Sequence, residues 1–178
     1  MSPTLSSAAI PMATPEQVLR CIGNGEGLGE CSGKATIIDL RSPGEFKDDH
    51  LPGAVNLPLF NDVERALIGT LYKKVSPDRA FGEGREVVFQ RIGELFQEIA
   101  RLSDWEMPEV DLGQRVREMT SQGIDALSEA LRPAVLPELP ERPVILHCWR
   151  GGMRSLSVVA LLRLCGFNRA IGVIGGYK

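Results

Sequence analysis

Short, nearly continuous apolar runs alternate along this chain with longer stretches in which apolar residues recur every three or four positions. Ala35-Thr36-Ile37-Ile38-Asp39-Leu40 and Val144-Ile145-Leu146-His147 are compact runs rich in β-branched side chains. That is the pattern of strands covered on both faces. Ala54-Val55-Asn56-Leu57 and Ala170 to Ile174 add two further short strands. Arg154 to Leu164 is apolar and long enough for a helix between the last two. Strand, helix, strand with buried strands predicts an α/β fold: an open parallel sheet, right-handed crossovers and flanking helices.

At the start, Thr14-Pro15-Glu16-Gln17 sets a cap residue before Pro and an acid, so a helix is expected to run to about Ile22. The small and polar residues before it, 1–13, are expected to fray. Between the second strand and the third, residues of about 61–140 read as a helical insertion. Asn61 to Lys73 and Glu86 to Leu102 carry helical periodicity, as in Ile92, Leu95, Phe96 and Ile99, and Leu112 to Leu131 does so more weakly. Pro133, Pro137, Pro140 and Pro143 close that segment before the third strand.

Composition narrows the function classes. A chain of 178 residues fits one domain carrying an insertion. A net charge of −3 does not advertise a nucleic-acid binder, although a local basic patch fits within it. The first residues lack the basic and apolar regions of a secretory signal. No apolar run approaches the ~20 residues of a membrane span. A cytoplasmic protein without a membrane partner is therefore expected. The four cysteines form no CxxC pair and only two histidines are present, so no zinc spacing appears and neither metal nor resident cofactor is expected. Cys165 reads as core packing, and Cys21 and Cys31 as incidental reduced thiols. Gly23 to Gly33 is a glycine-rich loop. Its end, Gly33-Lys34-Ala35, is not a phosphate loop, because Leu28 stands where the first glycine belongs and Ala35 where a hydroxyl must reach Mg²⁺.

Cys148-Trp149-Arg150-Gly151-Gly152-Met153-Arg154-Ser155 follows a buried strand and opens a helix. The glycine pair permits a tight turn in which successive N–H groups point at one centre. The helix N-terminus adds unpaired donors. Arg154 can close the ring with a planar guanidinium, and Arg150 can add charge. Cys148 is the candidate nucleophile, and these donors favour its thiolate and any anion bonded to it. His147 points to the opposite face of its strand and is expected to pack rather than to act as a base. Asp39 and Arg41 close the first strand, with Glu45 and His50 after them. At the carboxyl ends of a parallel sheet these residues are expected beside the Cys148 loop, on its rim or orienting its arginines.

Asp39-Leu40-Arg41-Ser42 with Glu45-Phe46, then His50 to Pro58, then the cysteine loop, resemble in content and order the rhodanese superfamily. The likeness narrows with Pro58-Leu59-Phe60-Asn61-Asp62, Glu64-Arg65, Gly69-Thr70-Leu71-Tyr72-Lys73, the Cys148 string and Gly175-Gly176-Tyr177-Lys178, which are similar to the tRNA 2-selenouridine synthase family. That resemblance implies an N-terminal rhodanese domain with a helical insertion. It also implies exchange of sulfur for selenium at a wobble 2-thiouridine, with selenophosphate or another sulfane-type donor as substrate. The partner implied is tRNA, gripped mainly by regions beyond this chain. The family continues past its Gly-Gly-Tyr-Lys into a P-loop domain, which is absent from these residues. Cys148, five residues, Arg154-Ser155 also fits a cysteine-dependent phosphatase. A free-standing thiosulfate-type sulfurtransferase is a further alternative.

Overall fold

The computed structural model describes residues 9–22 and 34–178. In chain order the elements are β1 (Ile10–Ala13), α1 (Pro15–Ile22), β2 (Thr36–Asp39), α2 (Pro43–Asp48), β3 (Val55–Asn56), α3 (Asp62–Lys74) and α4 (Pro77–Ser103). There follow α5 (Leu112–Thr120), α6 (Gly123–Ala130), β4 (Pro133–Val135), β5 (Val144–His147), α7 (Met153–Leu164) and β6 (Ala170–Val173). The strands form a six-stranded sheet in the order β3-β2-β5-β6-β1-β4, every pairing parallel.

The near-continuous apolar strands are explained by two buried faces. Val144 and Leu146 join Ile38, Leu40, Phe96 and Leu162 in the larger core, on the side of α4 and α7. Ile145, between them, faces the other way and packs with Ala13, Val18, Ile171 and Val173. This period-two split is what a strand covered on both faces produces.

Two expectations need correction. Residues 10–13 do not fray: they form β1, fully buried and paired with both β6 and β4. Pro11 lacks an amide donor, and such a residue in a short run hides a strand from its local pattern. The segment at about 61–140 is not purely helical either. Its proline-rich end contains β4, in which Pro133 sits opposite Ile10 on the sheet edge, where an absent N–H costs least. The insertion thus leaves the sheet after β3, at one edge, and returns to it at the other.

The helices α3 to α6 make up the rest of the insertion. The longest, α4, has 27 residues and begins nine positions before the periodicity at Glu86 suggested. Ser76 caps it by accepting the Arg79 N–H at 3.1 Å, Pro77 occupies its first turn, and Asp104 ends it in the left-handed conformation at φ 48°. Ala80, Gly84, Ile92, Leu95, Phe96 and Ile99 are the buried stripe. By contrast α3 has no buried residue. Cys165 lies in the core, as expected. Cys21, expected as a reduced thiol, is disulfide-bonded. The Gly23 to Gly33 loop and Cys31 lie outside the described residues.

Candidate active site

The sheet delivers Cys148 to its centre. β5 lies between β2 and β6, and Cys148 follows its last residue at the carboxyl edge, where parallel sheets hold ligands. The loop then runs to Gly152, the N-cap of α7, so that Met153, Arg154 and Ser155 make up the first turn. Cys148 Sγ is buried and stands 3.3 Å from Ser155 Oγ, with a hydrogen bond between them. Ser155 Oγ also reaches the Gly152 carbonyl at 3.3 Å. The sulfur therefore sits over the helix N-terminus, whose amides have no helical partner and whose dipole favours negative charge. Among the described residues, no backbone carbonyl accepts from the N–H groups of Trp149, Arg150, Gly151 or Gly152.

A second turn underlies this loop. Gly175 and Gly176 follow β6, and past them the Tyr177 N–H donates to the Cys148 carbonyl at 2.9 Å and the Lys178 N–H to the Trp149 carbonyl at 3.1 Å. Gly151 and Gly176 both hold positive φ, 62° and 65°. A Cβ on Gly151 would collide with the Val173 carbonyl, and one on Gly176 with the Gly151 nitrogen and the Cys148 carbonyl. Glycine is required at both positions by conformation and by space.

Arg154 does not meet Asp39. Its guanidinium stands 3.7 Å from Glu45, whose carboxylate also accepts the Ser42 N–H at 3.1 Å and pairs with Arg65 of α3 at 3.2 Å. Burial raises the Glu45 carboxyl. The Ser42 amide and the Arg154 and Arg65 charges outweigh it and hold the group below its ordinary value. Arg150 is exposed, while Met153 is half-buried against the core. Arg150, Met153 and Arg154 also border an apolar cleft of about 510 Å³ between α7 and the insertion helices.

Asp39 and Arg41 are near the loop but in a different role from the one expected. Both are completely buried rather than on a rim. The Arg41 Nη2 and Nε donate to the Asp39 carboxylate at 2.6 and 3.0 Å, and Nη2 donates also to the Asp49 carbonyl at 2.7 Å. The guanidinium carbon lies 3.7 Å from the centre of the Tyr177 ring and 5.8 Å from that of Trp149. Asp39 thus orients Arg41, not Arg154 or Arg150, and Arg41 props the two aromatic rings from beneath. Trp149 keeps 38% of its surface exposed.

His147 is buried, with Nε2 3.7 Å from Asp39, too long for a hydrogen bond. Burial lowers its pKa, Asp39 opposes that shift and Arg41 adds to it, so the ring stays neutral near neutrality. Packing is the role the geometry gives it. His50 is exposed, stacks on Phe46 at 4.0 Å and hydrogen-bonds the Phe46 carbonyl at 2.9 Å. Its contacts are with α2 rather than with the cysteine loop. Burial pushes the Cys165 thiol up, Arg115 opposing. The sequence reading did not single out Tyr177 or Arg65, which stood only within family strings, with nothing there to announce their partners. Among the described residues no group of His, Cys, Asp and Glu could hold a metal, and no helix is long and apolar enough to cross a membrane.

An all-parallel open sheet with a cysteine loop at its carboxyl edge belongs with the match of residues 26–90 to the rhodanese-like domain family. That match spans less than half of the chain. The chain is similar to curated proteins named tRNA 2-selenouridine synthase. It is 35% identical over 142 residues to that of Nitrosomonas europaea, covering 80% of this chain and 28% of the relative. To that of Cronobacter sakazakii it is 34% identical over 143 residues, again 80% of this chain and 29% of the relative. The chain spans less than a third of the length of these relatives. Among solved structures, the N-terminal domain of a Clostridium difficile 630 protein superimposes with a TM-score of 0.62 at 25% identity, covering 94% of this chain and 93% of that one.

Proposed function

We propose that this chain transfers sulfur or selenium through Cys148, as the rhodanese part of an enzyme that replaces the sulfur of a wobble 2-thiouridine in tRNA with selenium from selenophosphate. The observation that carries the reading is the seat of the Cys148 sulfur: over the first turn of α7, bonded to Ser155 at 3.3 Å, with Arg154 on the same turn and Arg150 within the loop. Amides and guanidinium groups at that place stabilise negative charge on the sulfur and on a group bonded to it. With a sulfane-sulfur donor, the Cys148 thiolate attacks the outer sulfur and forms a new S–S bond. The donor's own bond to that sulfur breaks, and its remainder leaves with the electron pair. The persulfide anion stays in the ring of amides. Five residues between Cys148 and Arg154 make a ring wide enough for a tetrahedral, phosphate-sized anion, which supports selenophosphate as the selenium donor. The names of the curated relatives support tRNA as acceptor.

The test loads the protein with thiosulfate, with and without selenophosphate as a competing anion, and reads Cys148 by mass spectrometry. A chalcogen adduct on Cys148, missing from Cys148→Ala, is expected. Hydrolysis of an aryl phosphate that needs Cys148, with no chalcogen ever found on it, would replace this reading with that of a cysteine phosphatase.

A further inference from the structure

We propose that Tyr177 is a positioning residue for the Cys148 loop, and that Gly175 to Lys178 act as the strap that turns the loop's amides toward the bound anion. The peptide bonds of the described residues are all trans, so in each the C=O and the N–H point in opposite directions. The Cys148 carbonyl is held by the Tyr177 N–H at 2.9 Å, and the Trp149 carbonyl by the Lys178 N–H at 3.1 Å. Those bonds fix the planes of two successive peptides. The N–H groups of Trp149 and Arg150, on the other side of those planes, face away from the strap. They are among the donors without a backbone acceptor in the described residues.

What holds the strap is Tyr177. Its ring lies on the Arg41 guanidinium at 3.7 Å, and Arg41 is fixed by the buried Asp39 carboxylate at the end of β2. The chain runs from a strand end through a cation and a ring to the backbone of the loop. Gly176 completes it, since a Cβ there would strike the Gly151 nitrogen and the Cys148 carbonyl and force the two turns apart. Neither residue touches the reacting sulfur. Both act through the orientation of the loop.

The inference rests on Cys148 being the reactive sulfur, and its test reads that sulfur rather than chalcogen transfer. The rate of Cys148 alkylation by iodoacetamide is followed by mass spectrometry against pH, with and without inorganic phosphate. Tyr177→Leu is expected to slow alkylation near neutrality about fivefold or more and to weaken protection by phosphate. Tyr177→Phe keeps the stack and is expected to restore the original profile. A folded Tyr177→Leu protein with the original profile and protection overturns the proposal, as does a Tyr177→Phe protein as impaired as the leucine one. Amide hydrogen exchange in the unaltered protein gives an independent reading. The Tyr177 and Lys178 amides are expected to be protected, and exchange at unprotected rates would also overturn it. An unreactive Cys148 in the unaltered protein would instead defeat the functional reading beneath.

Discussion

Cys148 Sγ and Ser155 Oγ lie 3.3 Å apart, joining the end of the central strand to the first turn of the helix that follows it. An ionised sulfur can only accept, so the Ser155 hydroxyl then donates to it in place of the Gly152 carbonyl, and a hydrogen bond to a charged group contributes about 1.5–3 kcal/mol. Ser155→Ala is therefore expected to lower Cys148 reactivity roughly tenfold or more, read as alkylation rate near neutrality. Cys148→Ala is expected to abolish chalcogen loading while leaving the thermal unfolding midpoint nearly unchanged. Loading that survives in Cys148→Ala would mean that another atom carries the chemistry.

The Asp39–Arg41 pair is fully buried and hydrogen-bonded on several sides. Removing one partner strands the other charge in a low-dielectric interior, at a cost of about 3–5 kcal/mol. Arg41→Met is expected to destabilise by that order in urea denaturation. Asp39→Leu combined with Arg41→Met is expected to lose less than the two single changes summed, because no lone charge remains.

Neither Arg41 nor Tyr177 could be paired from the sequence. The Cys148 loop was legible because its glycines, arginine and helix start lie within eight contiguous residues. Tyr177 comes 29 positions after Cys148 and meets it only because β6 runs beside β5. The same limit hid β1 and β4. Each is short and contains a proline, and each is a strand only by virtue of a partner far along the chain. The parallel sheet itself was readable, since β2 and β5 are buried on both faces and carry that in their own composition. Asp39 and Arg41 lie beside the loop, the Arg41 guanidinium 5.8 Å from the Trp149 ring. Their alternation along the strand end said nothing of the bidentate pair they make with one another.

Acidification should expose His147. Its pKa in the folded protein is lowered from 6.5, first by burial. Between that lowered value and 6.5 the unfolded chain binds a proton that the folded chain refuses. The contribution is complete above pH 6.5 and is lost as pH falls below it. Glu45 behaves likewise lower on the scale. Its folded value is depressed from 4.5, so its contribution is present above 4.5 and lost as pH falls further. Urea midpoints measured from about pH 7.5 to about pH 5.5 should decline, and His147→Leu should flatten that decline. An equal slope in the variant would assign it elsewhere.

The spacing of Arg154 from Cys148 bears on which anion the loop prefers. Phosphate and selenophosphate are expected to protect Cys148 from alkylation at lower concentration than thiosulfate does. A series in which thiosulfate protects far better would argue for an ordinary sulfurtransferase loop.

The place of β1 in the sheet has a consequence for how the protein comes into being. Among the described strands the earliest in the chain, Ile10–Ala13, ends up between β6 and β4, its neighbours lying more than 120 residues downstream. A nascent chain emerging from the ribosome can assemble the insertion helices at once, but must keep this apolar segment waiting until Val173 has cleared the exit tunnel. Contacts of such long sequence separation are slow to close. Maturation of the sheet, and with it of the Cys148 loop that rests on β6, therefore waits for β6 to emerge and lags behind that of the insertion helices.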